Sequence, residues 1–384
     1  MIHRYEVVIV GAGTAGMSAG MFLAKKGVKT LLIDAFDPPH NQGSHHGDTR
    51  IIRHAYGEGR FYVPLALRAQ SLWEELEKES GETLFLQTGI LGAGNTDSPF
   101  IKETVKSAKE YDLRLEVMNA EDIQKRWSGI QLPEDFIGCF EPNSGILLAE
   151  KCVAAFRKLA LRYGADLWTY TNVEALKSQE EGIEIKTNKG KVYADRCIVT
   201  AGAWTSRLLH TLEIPLTPTR KTVSWFEADE TRFNANVFPG FFFQLPTQSY
   251  YGFPSIDGCG VKLGRMDGGQ SIDPDNMNRT FGDFEEDEGD VRGFLQEYMP
   301  AAAGKLKQGK VCIFTRTPDE HFIMDTHPEY KNVLIAGGFS GHGFKFGSVM
   351  GEILSKLSLG EAIPFDLSHF KLGRFLNKEK KSRL

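Results

Sequence analysis

The first pattern in the chain is an unbroken apolar run, Val7-Val8-Ile9-Val10, followed at once by Gly11-Ala12-Gly13-Thr14-Ala15-Gly16. An apolar run without alternation reads as a strand buried on both faces, the habit of parallel sheets. Beyond the glycines the pattern becomes helical over about 14–26 and stops at Gly27. A second run, Thr30-Leu31-Leu32-Ile33, ends on Asp34. Strand, glycine turn, helix, strand and acid in this order predict a βαβ unit that holds the ADP half of a dinucleotide. Gly11 serves the tight turn, Gly13 lets backbone approach a pyrophosphate, and Gly16 packs helix on sheet. Asp34 stands roughly 20 residues past Gly11, where an acid reaches a ribose hydroxyl. The helix N-terminus turns free N–H groups and a positive dipole end toward the phosphates. Whether FAD or NAD carries that ADP half is left open by the pattern.

Further along, Leu65, Ala69, Leu72 and Leu76 recur at helical spacing, predicting a helix over 63–78 with Pro64 in its first turn and Trp73 in the core. From about residue 82 the texture changes to short strands and polar helices (99–111 and 120–127), as expected of an inserted domain. A helix over 149–163 and a strand over 165–171 restore the α/β pattern. Segments 182–187 and 191–194 read as a hairpin over Asn188-Lys189-Gly190, and the strand 197–200 runs into Ala201-Gly202-Ala203-Trp204. Strands dominate 215–308, with aromatics such as Trp225, Phe241, Phe242, Phe243 and Phe253 read mainly as sheet core. A last strand over 332–336 meets a second glycine-rich turn, 337–345, and a helix from Phe346. A second such turn is superfluous for NAD. For FAD it supplies a helix N-terminus near the pyrimidine edge, favouring negative charge on the reduced ring.

Composition narrows the picture. A chain of 384 residues exceeds one ordinary core, so two domains are expected. A net charge of −5 gives no support to a nucleic-acid partner. The basic tail 378–383 reads as a solvated end and the acidic run 285–288 as a solvated loop. No apolar run approaches the ~20 residues of a membrane span, and the first strand begins too early to leave room for a signal peptide. Five cysteines without C-x-x-C spacing argue against a disulfide framework and a structural zinc site, and point to a reducing cytoplasm.

The most unusual segment is Gly43-Ser44-His45-His46-Gly47-Asp48-Thr49-Arg50-Ile51-Ile52-Arg53-His54. A metal set of His45, His46, Asp48 and His54 is disfavoured, because adjacent histidines point apart and no H-E-x-x-H pattern is present. Two readings stay open: a surface turn of solvated charges, or Arg50 or Arg53 binding an anionic substrate by its guanidinium fork. Lys345, just past the second glycine turn, divides the same way between exposed lysine and anion site. Lys262 lies in an apolar stretch, and lysine is almost never fully buried unless paired. Taken alone, Cys312 reads as a small core residue and His342 as a satisfied loop histidine.

The runs Gly43 to Gly59, Gly338 to Phe346 and Val311-Cys312-Ile313-Phe314-Thr315 resemble the bacterial monomeric sarcosine oxidases and their N-methyltryptophan oxidase relatives, over essentially the whole chain. The resemblance implies an α/β flavin amine oxidase: a glutathione-reductase-like FAD-binding Rossmann domain (1–81, 145–214 and 309–384) with an inserted mixed-sheet substrate domain (82–144 and 215–308). It implies FAD bound covalently through Cys312, a substrate carboxylate gripped by Arg53 and Lys345, and Lys262 on the opposite ring face where O2 reacts. Ser44, His46, Thr49, Arg50, Val173, Gly341, His342 and Gly343 would surround the flavin, Arg50 taking part in catalysis, and Tyr251 would face the substrate. Met266 and Phe314 depart from the family, which has histidine and tyrosine there. The implied activity is oxidation of sarcosine to glycine and formaldehyde with release of hydrogen peroxide, by a monomer without bound metal. Alternatives are the same chemistry on N-methyltryptophan or pipecolate, an NAD-linked dehydrogenase, or a non-catalytic flavoprotein.

Overall fold

The apolar run 7–10 is the inner half of a strand, His3–Val10, in a computed structural model that describes residues 3–375. The basic tail 378–383 lies outside the described residues. Parallel neighbours, Thr30–Ile33 and Gly190–Val199, pair with both edges of this strand. None of Val7, Val8, Ile9 and Val10 is more than 5% exposed, which explains the lack of alternation. Among the described residues this sheet has eight strands, with Val173–Gln179 and Gly182–Thr187 on one side and Asp166–Trp168 on the other. The last of these is shorter than the 165–171 expected.

One correction concerns the strand expected as two pieces, 191–194 and 197–200. It is continuous over Gly190–Val199. Its first half pairs with Gly182–Thr187 and its second half, on the same edge, with Val333–Gly337. The polar Asp195-Arg196 pair that suggests a break is exposed where the edge changes partner.

Helices Thr14–Lys25 and Gly347–Ser358, each following a glycine turn, pack side by side. A side chain at Gly351 would overlap Ser18, and one at Gly20 would overlap Leu32, so small residues set both approaches. Helix Val63–Ser80 joins the same core with Trp73 fully buried, and Trp73 Nε1 donates to the Lys345 carbonyl at 2.8 Å.

The second sheet has nine strands among the described residues. It is mixed: Gly240–Gln244 runs parallel to Ile90–Asn95, while Thr217–Phe226, Ser249–Phe253, Val261–Arg265 and Leu306–Arg316 are antiparallel to their partners. Its aromatics are core, as expected: Phe241, Phe243 and Tyr250 pack on Phe294 of helix Glu286–Tyr298. Two expectations are corrected here. The acidic run is the start of that helix rather than a loop; Glu285 and Glu286 are exposed, but Asp287 is buried against Arg220 at 2.5 and 2.9 Å. Segment 309–316, assigned by sequence to the nucleotide half, is paired into the second sheet through Thr217–Phe226. A small third sheet, Thr49–Ile52 with Phe85–Leu86 and Gly145–Leu148, carries Thr49 and Arg50 between the two large ones.

Candidate active site

A cavity of about 610 Å³ opens where the two glycine turns meet the second sheet. Gly11, Gly13, Asp34, Ser44, Arg50, Val173, Phe314, Gly341 and Gly343 line it. Gly11 has φ +93°, and a side chain there would strike the Thr200 backbone, so no other residue fits. At Gly13 an added Cβ would meet nothing nearer than His45 Nδ1 at 3.7 Å, which leaves the backbone open to a ligand. Gly16 does not line the cavity; its missing side chain lets the helix close on the Gly11 carbonyl. Asp34 accepts the N–H groups of Ala12 (2.7 Å) and Phe36 (2.9 Å). His40 Nε2 also lies 3.3 Å from its Oδ1, and its remaining acceptor capacity is open to a hydroxyl group. Thr315 Oγ1, buried at the cavity, has no partner among the described residues and calls for a polar ligand. The donor set, the open glycine cradle and the carboxylate fit a dinucleotide.

The segment 43–54 is not a surface turn. It folds inward, with His45, His46, Thr49, Arg53 and His54 buried. Gly47 and Asp48 take positive φ values of 95° and 71°, and Glu150 caps both N–H groups at 2.7 and 3.0 Å. Into this loop reaches Lys262, 2% exposed, donating to the Gly47 carbonyl, the Thr49 carbonyl (3.0 Å) and Thr49 Oγ1 (3.0 Å). Burial, and then Arg50, push its pKa well below the ordinary lysine range, while Asp48 and Glu150 oppose them. The Arg50 guanidinium donates to the carbonyls of Ser44 (2.7 Å), His46 (2.6 Å) and Thr49 (2.7 Å). Burial and these cations lower His46 to about 3, so it stays neutral. His45 accepts the His40 N–H at 3.1 Å, and His54 contacts Ser144 at 3.1 Å. No cluster of three metal-ligating side chains occurs among the described residues.

A second cationic group forms around Tyr56. The Arg53 guanidinium lies 4.3 Å from its ring centroid, and Lys345 donates to its hydroxyl at 3.2 Å. Both cations are 6% exposed. Lys345 also donates to the His342 carbonyl at 3.0 Å. His342 Nε2 sits 2.9 Å from the Glu320 carbonyl, which can only accept, so Nε2 carries the proton. Nδ1 then accepts from the Tyr56 hydroxyl at 2.8 Å, and that oxygen accepts from Lys345. His342 is thus a satisfied loop histidine, its pKa lowered by burial to about 4. Burial, then Arg53, lower Lys345 to about 7.

Sequence reasoning missed three residues here. Glu58 accepts from Arg53 Nη2 with both carboxylate oxygens at 2.6 Å, Tyr56 joins the two cations, and Glu141 accepts the His54 and Ala55 N–H groups at 2.8 and 3.0 Å. The one available signal was an acid five residues after a candidate arginine.

Opposed residues in antiparallel strands share a face, and the registers Thr219↔Phe314, Lys221↔Cys312, Trp225↔Lys262 and Tyr251↔Gly264 put Tyr251, Lys262, Cys312 and Phe314 on one. Cys312 is 4% exposed and does not itself line the cavity, which its neighbours Ile313 and Phe314 do. A side chain at Gly341 would meet both the Phe314 ring and Met266 Cε, so these two close against the second glycine turn.

A family model described as DAO, FAD dependent oxidoreductase, matches residues 6–357. The monomeric sarcosine oxidase of Bacillus sp. (strain B-0618) is 53% identical over 383 residues, 99% of this chain and 98% of that protein. The N-methyl-L-tryptophan oxidase of Yersinia pestis (strain Pestoides F) is 40% identical over 372 residues, 97% and 99% of the two chains. The chain belongs to this family of FAD-dependent amine oxidases. Solved structures agree on the family fold: the amino acid oxidase NikD superposes with TM-score 0.84 at 22% identity, covering 96% of this chain and 97% of that one. Glycine oxidase from Geobacillus kaustophilus does so with TM-score 0.81 at 20% identity, covering 98% and 100%. Membership of this family favours FAD over the NAD alternative. No helix among the described residues is long and apolar enough to cross a membrane.

Proposed function

We propose that this enzyme oxidises small secondary α-amino acids with O2 reduced to hydrogen peroxide; the reference substrate sarcosine, with O2 and water, would give glycine, formaldehyde and hydrogen peroxide. One observation carries the reading: two buried cations from distant parts of the chain, Arg53 and Lys345, meet at Tyr56. Burying like charges together is costly unless anions join them; Glu58, on Arg53 Nη2, balances one of the two, and an amino-acid carboxylate would balance the other. Bound FAD supplies the two-electron acceptor. Gly11, Gly13 and Asp34 would hold its ADP half, and Ser44, His46, Thr49, Arg50, Val173, Gly341, His342 and Gly343 its remaining length. Arg53 and Lys345 orient the substrate by its carboxylate, with Tyr251, Met266 and Phe314 beside it. Lys262 keeps a positive charge where O2 takes up electrons. The FAD-binding part would comprise 1–81, 145–214 and the chain from 317, and the remainder the substrate part. Five free cysteines suit a reducing cytoplasm, and the relatives' names favour a monomer. A peroxide-coupled screen of N-alkyl and cyclic amino acids under air tests the assignment; absence of peroxide with every secondary amino acid would overturn it.

Cys312 is proposed as the covalent FAD attachment, on its family position and its place beside Ile313 and Phe314. After acid precipitation the yellow colour is expected to stay in the pellet, and Cys312→Ser to release it to the supernatant. Colour released from the wild type would refute the bond.

Met266 and Phe314 make the substrate wall apolar, which favours extra alkyl groups over small polar amines. A hydrophobic site gains about 1–3 kcal/mol per methylene, so selection is graded. N-ethylglycine or a cyclic imino acid is expected to match or exceed sarcosine in kcat/KM, and Met266→His with Phe314→Tyr to reverse the order. An unchanged order in the double variant would remove both residues from specificity.

A further inference from the structure

Lys221 takes no part in the mechanism above, yet it is 5% exposed and stands directly opposite Cys312 in the register. Among the described residues its ammonium has no ion-pair contact with a carboxylate. It donates to the carbonyls of Asp267 (2.5 Å) and Gly268 (3.3 Å), in the turn that follows Met266. Arg316, from the strand that carries Cys312, donates to the Met266 carbonyl itself at 2.5 Å. Three successive carbonyls, 266 to 268, are therefore held by two cations from neighbouring strands. The same cations flank the Phe314 ring, Lys221 Nζ at 5.7 Å and the Arg316 guanidinium at 5.8 Å from its centroid. The turn is also tied by the Met266 N–H, which donates to the Ser249 carbonyl at 2.7 Å, and by the Asp267 carboxylate, which accepts from the Ser249 N–H at 2.6 Å and from Arg265 at 2.7 Å.

A buried lysine costs more than an apolar residue of its size unless its hydrogen bonds are needed. Burial lowers Lys221 to about 8, with Arg316 and Arg265 adding and Asp267 and Asp290 opposing. Nothing in its surroundings makes it a surface charge or an ion-pair partner, so its distinctive contribution is the grip on the turn. Met is a flexible side chain that repacks readily, and a wall built from it keeps its shape only if its backbone is held.

We propose that Lys221 and Arg316 are positioning residues for substrate selection, clamping the 266–268 turn by its carbonyls so that Met266 and Phe314 form a fixed wall against Gly341. The selection half of this inference rests on the amine oxidase reading; the clamp does not.

The test compares the flavin-loaded wild type with Lys221→Met and Lys221→Arg. In Lys221→Met, hydrogen exchange of the peptide spanning 266–269 is expected to quicken about tenfold or more, with strand 306–316 and FAD content unchanged. KM for sarcosine should rise about tenfold at near-constant kcat while N-benzylglycine loses little, because a loosened wall discriminates less. Lys221→Arg should restore both readouts, since its fork can bridge two carbonyls and a cavity of about 250 Å³ beside Lys221 gives it room. Unchanged exchange in Lys221→Met would overturn the clamp. Faster exchange with an unchanged substrate ratio would overturn its role in selection. Loss of FAD with loosening of 306–316 would make Lys221 a strand prop and also refute the proposal. If the wild type oxidises no secondary amine, the functional reading fails and hydrogen exchange still decides the clamp.

Discussion

Replacing Lys262 by Met should slow the reaction of the reduced enzyme with O2 by about 10²–10³-fold, the usual cost of removing one preorganised charge or donor at a site of developing negative charge. Anaerobic reduction by substrate should change far less. The expectation follows from how the ammonium is held. Its three protons meet three acceptors, the Gly47 carbonyl and the carbonyl and hydroxyl of Thr49. The rings of Phe253 and Trp225 flank it at 4.4 and 5.3 Å. A charge fixed in this way needs no reorganisation when oxygen takes up electrons. The depressed pKa adds a pH signature: as pH rises through it, the oxygen step slows in the wild type and becomes flat in Lys262→Met. Stopped-flow measurement of the two half-reactions separates them. Equal slowing of both would assign Lys262 to the loop 47–49 as a structural brace.

The second large effect concerns the carboxylate grip. A hydrogen bond to a charged group contributes about 1.5–3 kcal/mol, so Arg53→Met or Lys345→Met should lower kcat/KM by about ten- to a hundredfold. Dimethylamine, which has no carboxylate, should be a poor substrate for the wild type and indifferent to both replacements. The arginine already gives Nη2 to both Glu58 oxygens at 2.6 Å and Nη1 to the Ala55 carbonyl at 3.2 Å, so an incoming carboxylate must share or displace one of these contacts. Lys345 adds a pH dependence whose sign is set by its lowered pKa of about 7. Below that value it is charged and binds an anion. Above it the charged fraction falls about tenfold per pH unit, so the affinity for a simple carboxylate such as propionate should fall likewise. Lys345→Met should abolish this slope. Equal turnover of sarcosine and dimethylamine, or a pH-independent affinity, would remove these residues from substrate binding.

Residues near in sequence were read well because their physics is local. The run Val7 to Val10, the positive φ at Gly11 and the placement of Asp34 are consequences of strand burial and backbone sterics within one βαβ unit. The family motifs extended that reading to FAD. Composition misled at Asp287, because four acids in a row look solvated until Arg220, 67 residues away, is found buried against this one, while Glu285 and Glu286 are exposed. It misled at Asp195-Arg196 because a polar pair looks like a strand end, whereas the strand only exchanges one neighbour for another there.

What the chain determined by itself was therefore the nucleotide-binding unit, the element types and the chemical kind of the site residues, each set by interactions over a few positions. Tertiary structure alone decided which charges would be buried and what would hold them. Lys262 meets Thr49 across 213 residues and Lys345 meets Tyr56 across 289. The state of a buried cation depends on its desolvation and on the acceptors around it, and both come into being only when distant strands are brought together.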